Sequence, residues 1–183
     1  MAVERQADAM NDYAAYVKNI RFKMASVHVI TTHVVGSNNN FETRDLAAAN
    51  EFFDRDKATI AWLGASFDQA IEESAKAVIL LIHADIFEVG FIARKERFLR
   101  HSGYRNFGEA LVGKAEAFAR PILLVFGDGH QFVISRPFAR RAPNIVALEV
   151  YGAPAMHAVE VEVDPEDPAI FSISQVINPD SPS

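Results

Sequence analysis

Residues 77–82 read Ala-Val-Ile-Leu-Leu-Ile (AVILLI), and residues 121–126 read Pro-Ile-Leu-Leu-Val-Phe (PILLVF). Neither run contains a charged or hydrogen-bonding side chain. A strand with one wet face would alternate, and a globular helix is usually longer. The pattern is that of a strand covered on both faces, as in a parallel sheet. Upstream, Val27–Val35 (VHVITTHVV) is rich in β-branched residues and ends in Gly36-Ser37-Asn38-Asn39-Asn40, a strong loop signal. A helix is expected within Asp45–Ala75. Ile60, Leu63, Phe67, Ala70 and Ile71 form its apolar stripe, and Asp68, Gln69, Glu72 and Glu73 its wet side. A second helix, near Phe107–Ala119, precedes PILLVF. The order β, α, β, α, β predicts parallel strands joined by right-handed crossovers.

Outward from this centre the texture changes. Met10, Tyr13, Val17 and Ile20 stand at helical spacing and predict an amphipathic N-terminal helix. Arg94–Arg105 reads as an irregular, basic and solvated stretch. After Phe126, the runs Gln131–Ser135, Ile145–Val150, Ala158–Val163 and Ile170–Val176 read as strands without helices between them. Their proline-rich connections suggest an antiparallel meander. The fold class expected is α/β, with a mixed sheet or two packed sheets and outer helices. A single domain is expected over residues 1–177, with 178–183 (NPDSPS) a frayed tail.

The chain has 183 residues and no cysteine, which excludes disulfides, thiolate metal sites and cysteine nucleophiles. Its longest apolar stretches are about ten residues, well short of a membrane span. The first residues carry Glu4, Arg5 and Asp8 and no apolar run, so no signal peptide is expected and the default location is cytoplasmic. Net charge is −6. All 18 Lys and Arg lie at or before Arg141, against 17 acids there, and the last 42 residues hold seven acids and no base. Binding to a nucleic-acid backbone is therefore not expected, and the acidic end reads as a solvated face.

Ligands of open parallel sheets bind beyond the carboxyl ends of the strands. Three such ends are polar here. The first carries His33 and the Gly36–Asn40 loop, the second His83-Ala84-Asp85, and the third Gly127-Asp128-Gly129-His130. Imidazole and carboxylate together suit Mn, Zn or Fe. A histidine after a buried strand is also often only a hydrogen-bonded turn residue, and for any one of these sites the plain reading comes first. Their recurrence at successive strand ends is what brings function level with it. Gly108–Lys114 fits most of a phosphate-binding P-loop. It is followed by Ala115 rather than Ser or Thr and lies in a helical pattern before a strand, the reverse of the required order.

The runs Thr32-His33-Val34-Val35-Gly36-Ser37-Asn38-Asn39, Ile60-Ala61-Trp62-Leu63, Ile82-His83-Ala84-Asp85 and Pro121–His130 resemble the C-terminal half of a calcineurin-like metallophosphoesterase. So do Asn144–Pro154 and the ending Val161–Pro168. The resemblance implies an αββα sandwich with a two-metal centre and hydrolysis of phosphate esters by a metal-bound hydroxide. It matches His83 to the family's lone metal-binding histidine and Gly127–His130 to the closing Gly-His-x-His, with Asp128 in place of the first histidine. The family's Asp-x-His, Gly-Asp-x-x-Asp and Gly-Asn-His motifs have no counterpart before Val27. The expectation is thus a truncated domain with a residual site of His83, Asp128 and His130. His33, Asn38, Asn39 and Asp85 are further candidates. A divalent Mn, Fe or Zn would be mononuclear or absent. Two functions follow: phosphate-ester hydrolysis, or a non-catalytic binding module on the same scaffold. A sheet left without its second layer implies a homo-oligomer or a covering partner.

Overall fold

Four parallel strands form the centre of the structure, a computed structural model that describes residues 2–180. The chain opens with β1 (Val3–Arg5), the short α1 (Gln6–Ala9), β2 (Ile20–Met24) and β3 (Val27–Thr31). A single turn, α2 (Gly36–Asn39), leads into the long α3 (Leu46–Glu72) and β4 (Ala77–Leu81). Then come the two-residue strands β5 (Phe91–Ile92) and β6 (Arg97–Phe98), helix α4 (Arg105–Phe118) and β7 (Ile122–Phe126). The remaining strands are β8 (Val133–Ser135), β9 (Ile145–Glu149), β10 (Ala158–Val163) and β11 (Phe171–Val176). The main sheet has seven strands in the order β1-β2-β3-β4-β7-β9-β8. Strands β3, β4, β7 and β9 are parallel, and antiparallel strands close both flanks.

Side-chain alternation explains why the two apolar runs have no wet face. Ile30, Val78, Leu80, Ile122 and Leu124 point to one side and are buried against Trp62, Leu63 and Phe67 of α3 and Phe107 and Leu111 of α4. Val27 and Ala77 point to the other side, where they are buried with Ile170 and packed by Val163 and Phe171 from the β10–β11 hairpin. Helices therefore cover one face and a two-stranded sheet packs on the other. Each large apolar side chain taken fully out of water contributes roughly 1.5–3 kcal/mol. Helix α3 starts at Asp45, whose carboxylate accepts from the Ala47 and Ala48 N–H groups.

The N-terminal segment differs from its reading as a helix. Ile20, at the end of the helical spacing, begins strand β2, and Met10 is extended at φ −135° and ψ 99°. Two buried amides fix this course. The Asn19 amide donates to Gln6 Oε1 at 2.6 Å, and the Gln6 amide donates to the Ala58 carbonyl at 2.7 Å. Pairing with β3 then outweighs helical spacing, which is a weak preference. The C-terminal strands also differ in part. The pattern of strands and prolines places β9 in a meander, but β9 runs parallel to β7 and takes β8 as its antiparallel neighbour. The Arg94–Arg105 stretch is not wholly solvated: Glu96 is buried and accepts from the backbone of Arg140 and Arg141. Gly108 of the P-loop-like run sits inside α4, where a Cβ would meet the Phe98 ring at 2.2 Å. It is a packing glycine. Of the expected tail, Asn178 donates its N–H to His157 Nδ1, and residues 181–183 lie outside the described residues.

His28 lies buried on the helix-covered face, with Nε2 2.9 Å from Glu73 and with Lys23 and Arg21 nearby. Burial lowers its pKa, against the pull of Glu73. The unfolded chain then takes up a proton below about pH 6.5 that the folded chain resists, so this contribution is present above that pH and lost as pH falls. Urea titrations between pH 7.5 and 5.5 are expected to show stability falling with pH, and falling less steeply in His28→Gln. Equal slopes would show that His28 carries none of the dependence.

Candidate functional site

The in-register ladder continues past the strand ends. Thr32 donates to Leu81 O, Ile82 to Val125 O, and Gly127 to His83 O. The segments carrying His33, His83 and Asp128 are thereby delivered to one edge. An open cleft of about 520 Å3 lies there, lined by His33, Val35, Gly36, Ser37, Asn40 and their neighbours Glu51, Arg55, His83 and Asp128. His83 is largely exposed, and its Nε2 lies 3.5 Å from Asp128 Oδ1. A Cβ on Gly36 would stand 2.9 Å from Asp128 Oδ2, so a larger residue there would push the carboxylate aside.

The loop itself is unusual. Ser37, Asn38, Asn39 and Asn40 are all left-handed, with φ between 53° and 57°. Left-handed backbone costs an ordinary residue roughly 1–2 kcal/mol, and asparagine tolerates it better than most. The asparagine run is therefore a backbone requirement before it is a ligand set. Asn39 is buried; its Oδ1 accepts from Arg55 at 2.5 Å and its Nδ2 donates to Gly103 O at 3.1 Å. Asn38 Oδ1 accepts the Gly103 N–H at 2.7 Å, and its Nδ2 donates to His101 O. Both asparagine side chains thus tie the turn to the segment before α4. Arg55, on α3 and itself buried, completes the clamp by donating to Asn39 O and His33 O while held by Glu51.

Burial is the main cause of a lowered His33 pKa, helped by Lys18 and Arg55. Its ring is therefore more strongly neutral at pH 7 than a free histidine. Asp85 caps the turn after β4 by accepting from the Phe87 N–H, and burial followed by Asp128 raises its pKa. It faces a second hollow, with Ser37, Asn38, Glu88 and Gly129, for which Asp128 is a shared wall. His130 takes a left-handed backbone and lays its ring on Gly152, where a Cβ would be 2.3 Å from the ring Cγ. Among the described residues, no three His, Asp or Glu side chains are grouped so as to hold a metal ion. His83 and Asp128 are brought together, and His130 does not complete a ligand set with them. The residues present do not fit the metal centre that the resemblance implies.

Three site residues are not visible in the sequence. Arg55 and Glu51 look like ordinary polar positions of a helix. Glu149 ends β9 at the same edge and is nine-tenths buried, with Oε1 lacking a hydrogen-bond partner. Burial, then Asp85 and Asp128, raises its pKa. A lone acid closing the apolar IVALEV run is the signal that a parallel reading of β9 would have used. Comparison with known proteins adds nothing to this geometry: no family model and no curated protein matches the chain. No helix among the described residues is long and apolar enough to cross a membrane.

The clamp has a measurable consequence. A lysine at 55 cannot reproduce the fork that reaches Asn39 and His33 together. Arg55→Lys is expected to cost about 1–3 kcal/mol in urea denaturation, with amide shifts concentrated at Ser37–Asn40. A variant of unchanged stability with an undisturbed loop would show that the turn does not depend on Arg55.

Proposed function

We propose that this chain is a phosphoesterase-like domain that binds a phosphate ester at the carboxyl edge of its sheet and does not hydrolyse it. The supporting observation is that His83 shares an open cleft with Asp128 and His33, while His130 rests on Gly152. Asp128 Oδ1 stands 3.5 Å from Nε2 of the exposed His83 ring, an ion pair when that ring is protonated. A phosphate ester presents acceptor oxygens to the imidazole donors of His83 and His33. In this reading the far face of the main sheet, where the β10–β11 hairpin packs, is the place of the second layer of an αββα sandwich. A second copy or a partner would cover what the hairpin leaves open.

Hydrolysis is the second reading. It is favoured by the residue types His83, Asp128 and His130, and it requires the His130 ring to leave Gly152 for the His83–Asp128 pair. The two readings separate in one set of experiments. Chelator-treated protein is expected to bind p-nitrophenyl phosphate in calorimetry, with affinity falling at least ten-fold in His83→Ala. No p-nitrophenolate release is expected when Mn is added. Absence of binding would overturn the proposal. Metal retained stoichiometrically through purification, with bis-(p-nitrophenyl) phosphate turnover abolished by His130→Ala, would replace it with the hydrolase.

A further inference from the structure

A further concavity lies at the opposite end of the parallel strands. It is a groove of about 440 Å3 between the main sheet and the β10–β11 hairpin. Val146 and Ile134 form the sheet wall, with Pro121 at its end, and Phe171 and Ile173 the hairpin wall. Volume and lining fall in the range of small-molecule sites, about 300–1,000 Å3 with mainly apolar walls and a few polar groups. Ile134 is half exposed although it lines the groove, so apolar surface here faces solvent.

The charged groups at this groove are of one sign. Arg120 and Arg136 line it and no Asp or Glu does, in a chain with 24 acids against 18 bases. Arg120 donates to the Ala75 carbonyl and stacks its guanidinium on Phe118 at 4.8 Å. Arg136 donates to the Pro143 carbonyl at 2.9 Å. Among the described residues neither is paired with a carboxylate, whereas Arg21, Arg44, Arg55, Arg140 and Arg141 all are. A guanidinium carries five donors, so each keeps unspent donors after these bonds. Apolar walls beside two arginines without carboxylate partners complement a molecule with an apolar tail and an anionic head.

We propose that this groove is a binding site for a small anionic amphiphile, a single alkyl chain ending in a carboxylate, with the chain between the β11 and β9 side chains and the head on Arg120 and Arg136. The site is separate from the His83–Asp128 cleft and stands whether or not that cleft binds phosphate esters.

The test uses the full chain and decanoate below its micellar concentration, followed by calorimetry and by methyl resonances. Saturable binding is expected, with shifts at Ile134, Val146 and Ile173 and none at Val35 in the His83–Asp128 cleft. Arg136→Gln and Arg120→Gln are each expected to weaken it at least five-fold. Ile134→Glu alters an exposed side chain, so the fold should persist, and it is expected to abolish binding. Decanol and acetate are expected to bind at least ten-fold more weakly than decanoate, since each lacks one half of the recognition. Equal binding of decanol, indifference to both arginine variants, or shifts away from the groove would overturn the proposal. So would a groove filled by a second copy, seen as concentration-dependent dimerisation that Ile134→Glu abolishes and decanoate leaves unchanged.

Discussion

The register between β3, β4 and β7 is the constraint on which the rest depends. Parallel strands in register must release their chains at the same edge, and the backbone bonds from Thr32, Ile82 and Gly127 carry that alignment past the last paired residues. Three polar strand ends, far apart in sequence, therefore meet without any interaction made specifically to bring them together. The cleft is a by-product of sheet geometry. What fills it is decided by the few residues that follow each strand.

The three ends behave differently for local reasons. After β3 the chain enters four left-handed residues, a conformation that the asparagines tolerate and that Arg55 and Gly103 lock from both sides. After β4 the chain turns at Asp85, leaving His83 exposed. After β7 the backbone passes so close to Glu149 that a Cβ on Gly129 would stand 2.2 Å from its Oε1. A larger residue there would displace the Glu149 carboxylate, and beyond it the left-handed His130 falls on Gly152. Glycine and left-handed backbone thus decide which imidazole stays in the cleft. Donor types alone do not.

Much of the centre is legible in the sequence because it rests on local patterns. The two apolar runs mark β4 and β7, the helical stripe marks α3, and their order implies the parallel arrangement. The readings that fail depend on distant partners. The helical spacing from Met10 to Ile20 yields to buried Gln6–Asn19 bonding and to pairing with β3, neither of which leaves a periodic trace. The placement of β9 depends on a crossover without a helix, so it reads as part of a meander, and Glu149 escapes notice with it. At the site, His83 and Asp128 follow from strand ends. The work of Asn38 and Asn39 follows from backbone conformation, which a one-dimensional reading takes for ligand chemistry. Arg55 is recognisable only when its burial is known.

The position of the His130 ring decides whether the carboxyl edge holds a binding cleft or a three-ligand centre. A nuclear Overhauser spectrum of the free protein measures this directly. Strong cross-peaks are expected between the His130 ring protons and the Gly152 Hα protons, and none between the rings of His130 and His83. Cross-peaks joining those two imidazoles, with none from His130 to Gly152, would contradict this placement and restore a three-ligand centre at the carboxyl edge.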